Sequence, residues 1–348
     1  RRETLVRLES WSMQDHSRER GLDLIKAVCI VLVVIWHLQP VRPAMLADSC
    51  IGVFWIKELI RFFYQDISLI AVPSFILVSL YLFISKLSIN DGYWKKRFLR
   101  LLQIYVFWVG IQFILYLLLG GVLPLPLKTI FRSGGPDLPM TPAIPSIFYY
   151  IYILILCTVL TFIFLKLPGK IKLTVSAIVI GVSCVYFFLS PLYGIGVDTR
   201  SMRGYYIYIP IAYYLNQHKD KFARYRWLFF IGFALSVLYE WLFSGTTSAY
   251  ARLPVLFGVL TFASFFISGW TKASRLVLFL STYSLGIFAL HTYWMAALLS
   301  LFSVFCLSDE ALLGGGVLKG ISLFILTFSL TCISVYLLGK TKLRTYVS

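Results

Sequence analysis

Apolar runs of about twenty residues alternate along this chain with short basic clusters. That length is what a helix needs to cross the hydrocarbon core of a bilayer. Ten runs are predicted as membrane helices, roughly at 22–41, 67–85, 98–120, 146–166, 172–190, 204–217, 227–245, 252–270, 278–305 and 318–339. The sixth is short enough to be irregular, and the ninth long enough to be tilted or broken. The stretch 51–64 is apolar but interrupted by Lys57, Glu58 and Arg61, a pattern that predicts an interfacial helix.

The basic clusters orient this series. Cytosolic loops of membrane proteins carry an excess of Lys and Arg. With ten spans, 23 of the 32 Lys and Arg residues fall on one side and the other nine on the alternate segments. A miscounted span would scramble that bias. The expected fold class is therefore all-α, a polytopic membrane helix bundle with about ten transmembrane helices and both termini cytosolic. Its expected divisions are an N-terminal arm (1–20), a membrane domain (21–340) and a C-terminal tail (341–348).

Composition narrows the reading further. Of 348 residues, 59% are hydrophobic and 14% charged, where a soluble domain carries roughly a quarter charged. A net charge of +17 would suggest nucleic acid in a soluble protein. Here the basic residues sit between apolar runs, so the membrane lipids account for them and no nucleic-acid partner is expected. The run from Leu24 to Leu38 resembles a signal-peptide core in length, yet it carries Lys26 and His37 and opens a long series of spans. It reads as a retained helix. None of the six cysteines forms a CxxC or Cys/His metal spacing, so no metal is expected, and Cys50 and Cys306 could at most face the oxidising side. The longer non-cytosolic loops, about 42–66 and 121–145, are the expected acceptor-facing surface. The second is rich in Gly and Pro and could cap a cavity or simply connect two spans.

Ionisable side chains within membrane segments are costly and are functional candidates by default. Lys26 and His37 lie eleven residues apart, about 20° beyond three helical turns and roughly 16 Å along the axis. They share one face, a cation towards the cytosolic end and an imidazole towards the other. Asp23 falls about 60° from Lys26 on the same broad side. An imidazole titrates near neutrality and suits general-base work, which makes His37 the candidate catalytic residue. Arg97 and Arg100 are three apart, neighbours on one helix face, and guanidinium pairs suit phosphate oxygens. Ser284 and His291, seven apart, also share a face; His291 is as well suited to structure as to catalysis. Glu240, near the outer end of the seventh span, could meet a sugar hydroxyl or Arg252. The tyrosines in FYYIYI (148–153) and GYYIYIPIAYY (204–214) exceed what an interfacial belt requires; hydroxyls lining a wet cleft would suit a carbohydrate, while belt and packing roles account for most of them.

These segments, in this order, resemble the acyltransferase family 3 integral membrane proteins. That family's first-helix motif pairs an arginine and a histidine with ten residues between them; KAVCIVLVVIWH (26–37) has the spacing with Lys26 in the arginine's place. The lysine keeps the charge but loses the bidentate fork. AVPSFILVSLYLF (71–83), which contains Ser79, is similar to the family's second-helix signature with Leu80 where glycine is usual. RFLRLLQIY resembles its RxxR segment, mapped to Arg97 and Arg100. SIFYYIYILI, GYYIYIPIAYYL and STYSLGIFALH resemble its later helices, so the likeness runs from residue 20 onwards.

The resemblance implies a bacterial cytoplasmic-membrane O-acyltransferase that moves an acyl group, usually acetyl, from cytosolic acyl-CoA to a hydroxyl of a cell-surface or lipid-linked glycan. Lys26, Arg97 and Arg100 are then the expected acyl-CoA contacts and His37 the catalytic group. Asp23, Ser79, Glu240, Ser284 and His291 are candidates for substrate or structural contact. The activity is expected to reside within the membrane unit. The alternative is an exporter of a glycan or lipid-linked sugar without bond chemistry, which pseudo-repeats with matching broken helices would favour; none is evident.

Overall fold

The computed structural model describes residues 20–46, 51–123, 125–126, 129, 131, 133–140, 143–195, 200–243, 249–267, 273–304 and 316–348. The N-terminal arm, Cys50 and Cys306 lie outside the described residues, apart from Arg20. The described residues form α-helices and short 3₁₀ and π turns, with no strand among them.

Eight helices among the described residues are long and apolar enough to cross a membrane. Two further expected spans form shorter helices. The sixth, 204–217, is the ten-residue helix α7 (Tyr208–Gln217), followed by the short α8 (Lys219–Arg224). The eighth, 252–270, is described as α10 (Leu253–Phe266), which begins with Pro254 in its first turn, where the missing N–H costs nothing. The ninth run is interrupted at Tyr283, dividing it into α11 (Arg275–Thr282) and α12 (Ser284–Val304). Ser281 and Ser284 flank that point, and the Ser284 hydroxyl bonds the Ser281 carbonyl at 3.0 Å. Such side-chain competition for backbone groups loosens a helix locally.

The first helix, α1 (Arg20–Leu38), is the axis of the bundle. It packs against α3 (Ala71–Leu87), α10, α11, α12 and α13 (Gly316–Leu338). By contrast α6 (Gly169–Leu192) and α9 (Arg226–Phe243) expose apolar side chains such as Ile178, Val182, Leu228 and Leu235. Internal hydrogen bonds satisfy the helix backbones, so such faces can meet lipid without penalty. Packing rather than water exclusion must hold such a bundle together. Gly320 shows how close that packing is: a Cβ there would stand 2.1 Å from the Pro40 carbonyl oxygen just beyond α1.

Two departures from expectation shape the site. The stretch 51–64 forms α2 (Ile51–Phe62), but it continues through a π turn (Phe63–Ile67) and a 3₁₀ turn (Ser68–Ile70) into α3. Interruptions of this kind concentrate at functional sites. The segment 341–348, expected as a tail, turns back on α4 (Tyr93–Leu118) and carries α14 (Arg344–Val347). Tyr346 stacks on Phe107 with centroids 4.0 Å apart, and its carbonyl accepts from the Trp108 indole at 3.0 Å.

Candidate active site

One end of the bundle gathers the basic residues around a cavity of about 430 Å³. Lys26 reaches it from α1, Ser79 and Lys86 from α3, Arg97 and Arg100 from α4, and Ser284 from α12. The expected juxtaposition of Lys26 with the arginine pair is therefore present in space. Ser79 accepts from an Nη of Arg97 at 2.5 Å, which orients the guanidinium. The Arg97 Nε is buried and has no hydrogen-bond partner among the described residues. Arg100 donates to the Ser348 carbonyl at 2.8 Å, so the refolded C-terminal segment forms part of the mouth.

Asp23 lies beside this cavity without lining it. It is buried and accepts from the Ser281 hydroxyl at 2.5 Å. That bond joins α1 to the interruption between α11 and α12, a structural contact.

His37 stands at the other end of α1, in its last turn. The helix stops there because Pro40 follows and Gln39 takes a left-handed conformation, φ 40°. Proline cannot continue the hydrogen-bond ladder and disfavours helical geometry in the residue before it. The imidazole lines a separate cleft of only about 10 Å³, at the limit of holding one water. Ser68 and Leu69 from the 3₁₀ turn, Tyr149 from α5 (Tyr149–Lys166) and Tyr250 form other walls. Phe288 lines both this cleft and the basic-end cavity. The Lys26 and His37 side chains thus share one helix but open into two spaces that meet at one phenyl ring.

His291 is fully buried, with its ring centroid 5.0 Å from that of His37. Its Nδ1 lies 3.1 Å from the Ile287 carbonyl. A carbonyl only accepts, so Nδ1 carries the hydrogen and Nε2 is left as an acceptor. That Nε2 has no partner among the described residues. Ser284, expected on the same face, bonds Ser281 instead and does not hold His291.

Beyond the His37 cleft, Arg252 is buried between two carboxylates. It pairs with Glu240, and with Asp66 at 2.8 Å, while its other Nη donates to the Gln65 carbonyl at 2.9 Å. Arg252 is thus one of the two partners considered for Glu240. Removing one member of such a buried network strands the rest. Arg252→Ala is expected to lose about 3–5 kcal/mol of stability, read as a lower midpoint in denaturant titration of the detergent-solubilised chain. Neutralising Arg252, Glu240 and Asp66 together should cost less, because no charge is left unpaired.

The 121–145 loop is pinned rather than free where it is described. Gln112 donates to the Pro136 carbonyl at 2.8 Å and accepts from Tyr293 at 2.8 Å. Arg200 bonds Ser133 and Asp137 at 2.9 and 3.3 Å. Gly134, with φ 72°, adopts the turn that lets its carbonyl accept from Ser146 at 2.6 Å.

Sequence reasoning passed over Asp66, Ser281 and Phe288. Asp66 carries the signal that singled out His37, a charge beside an apolar run. Ser281 and Phe288 carry none, since a serine and a phenylalanine are ordinary in a membrane helix.

The His37–His291 imidazole pair thus stands at one end of α1 and a basic cavity at the other. Residues 19–340 match the family model of an acyltransferase domain. The chain belongs to acyltransferase family 3 and is a membrane acyltransferase. Comparison with curated proteins and with solved structures finds no match.

Proposed function

We propose that this acyltransferase moves an acetyl group from acyl-CoA, bound at the basic end, to a hydroxyl of a cell-surface or lipid-linked glycan arriving at the far end. The observation that carries this reading is the line of Arg97, Phe288 and His37, in which a phosphate-compatible cavity abuts the histidine cleft across one side chain. The bias of the basic clusters supports a cavity mouth on the cytosolic side of a bacterial inner membrane, where acyl-CoA is available. The cavity fits the donor in chemistry. Lys26, Arg97 and Arg100 supply positive charge, and the orphaned Arg97 Nε is a donor awaiting an acceptor.

The acyl arm then points along α1 towards His37, with Phe288 turning aside because the cleft is too small for a thioester as it stands. The His37 imidazole takes the proton of the glycan hydroxyl as that oxygen attacks the thioester carbonyl. A C–O bond forms, the C–S bond breaks, and the proton passes to the departing CoA thiolate. His291, its ring centroid 5.0 Å from that of His37, packs beside that imidazole and holds it in orientation.

The test supplies purified chain in nanodiscs with radiolabelled acetyl-CoA and the glycan fraction of cells lacking this chain. Glycan-dependent release of CoA thiol, with label on the glycan, is expected. Glycan uptake without thiol release would instead establish an exporter. Label trapped on His37 before glycan is added would replace general-base transfer with an acyl-histidine route.

A further inference from the structure

The far end of the bundle holds another cavity, about 860 Å³, twice the volume of the basic-end one. Trp55, Glu58 and Arg61 of α2 line it, with Glu240 and Trp241 of α9 and the buried Arg252. Its chemistry differs from the basic cavity's in sign. Three carboxylates (Glu58, Asp66, Glu240) face two guanidiniums (Arg61, Arg252), which disfavours an anionic ligand.

Three observations point to a polyhydroxylated one. First, Glu240 is only 6% exposed, and while its Oε2 is held by Arg252, its Oε1 has no partner among the described residues. A buried carboxylate oxygen left without a donor is costly, and a ligand hydroxyl would satisfy it. Second, Trp55 and Trp241 present indoles that are 59% and 62% exposed. Such faces suit the apolar C–H side of a sugar ring. Third, Glu58 and Arg61, 2.7 Å apart at the rim, offer an acceptor and a donor with further hydrogen-bonding capacity.

The crevice also adjoins the histidine. The turn 63–70 presents Gln65 and Asp66 to the crevice and Ser68 and Leu69 to the His37 cleft. Residues 250–252 do likewise, Arg252 facing one space and Tyr250 the other. One wall, built by the π and 3₁₀ turns, separates the two.

We infer that this crevice is the saccharide-binding site. A sugar ring lies on Trp55 and Trp241 with a hydroxyl donating to Glu240 Oε1, and its neighbouring residues extend over the wall towards His37. The assignment rests on the glycan-transfer reading above, and names where on this chain the acceptor is held.

The test is equilibrium binding of a tritium-labelled glycan fraction, prepared from cells lacking this chain, to the full chain in nanodiscs. Saturable binding is expected, weakened at least tenfold by Trp241→Ala and by Glu240→Gln, with acetyl-CoA affinity unchanged in both. Trp241 is exposed, so its truncation reports on the crevice even where Glu240→Gln disturbs the Arg252 network. Glycan freed from its lipid carrier and lipid-linked glycan should be weakened alike. A loss confined to the lipid-linked form would assign the crevice to the carrier and overturn the proposal. So would undiminished glycan binding by Trp241→Ala, or no saturable binding by the unsubstituted chain. Binding that behaves as expected without acylation would defeat the transfer reading and leave the crevice standing. Acylation with unchanged acceptor KM in both variants would defeat the crevice alone.

Discussion

Replacing His37 with alanine is expected to lower glycan-dependent CoA release by about 10²–10⁴-fold, the span that a positioned general base contributes. KM for acetyl-CoA should stay near that of the unsubstituted chain, because the imidazole opens into the small cleft and not into the basic cavity. The fold should tolerate the change. His37 is half-buried in the last turn of α1, and the deep packing of that helix is carried by Cys29, Ile30 and Val34. His291→Gln provides the contrast. A glutamine keeps polar atoms near the fully buried position but removes the tilted ring whose centroid lies 5.0 Å from that of His37, so a smaller fall in kcat is expected, with KM for both substrates little changed. Equal rates for His37→Ala and the unsubstituted chain would remove this residue from the chemistry. Rates equally low in both variants would make the imidazole pair, rather than His37 alone, the working unit.

The reasons why some of this was legible in the sequence, and some not, are physical. Membrane helices announce themselves because twenty apolar residues in a row have few other uses. The shared face of Lys26 and His37 follows from helix geometry alone, and the Arg97 and Arg100 spacing likewise. The convergence of Lys26, Arg97 and Arg100 on one cavity required knowing that α1 is the axis of the bundle, a matter of which helix meets which. The Arg252 network joins residues 186 positions apart, and nothing in local periodicity ties Asp66 to it. Phe288 was invisible for the opposite reason. Its residue type is commonplace, and only its place between two cavities distinguishes it. The Ser348 carbonyl on Arg100 belongs to the same class, since a basic polar segment looks like a solvated tail until it is seen packed on α4.

Arg97→Ala is expected to raise KM for acetyl-CoA by about 10- to 100-fold, with kcat at saturating donor within a few fold of the unsubstituted chain. Hydrogen bonds to charged groups contribute about 1.5–3 kcal/mol, and each 1.4 kcal/mol is about tenfold in affinity. Arg97 should outweigh Arg100. Ser79 already holds one Nη of Arg97 in place and its Nε is buried and unpartnered, whereas Arg100 is exposed and engaged with the Ser348 carbonyl. Ser79→Ala should therefore reproduce part of the defect by freeing the guanidinium, and Arg97→Lys should rescue little, since an ammonium cannot present the same planar fork. The decisive comparison uses S-acetyl-pantetheine, which carries the thioester arm but no phosphate. If Arg97 grips phosphate, this donor is poor for every form of the chain and blind to the substitution. If Arg97→Ala impairs it as severely as acetyl-CoA, the guanidinium acts on the arm or on the fold, and the phosphate site lies elsewhere along the basic mouth.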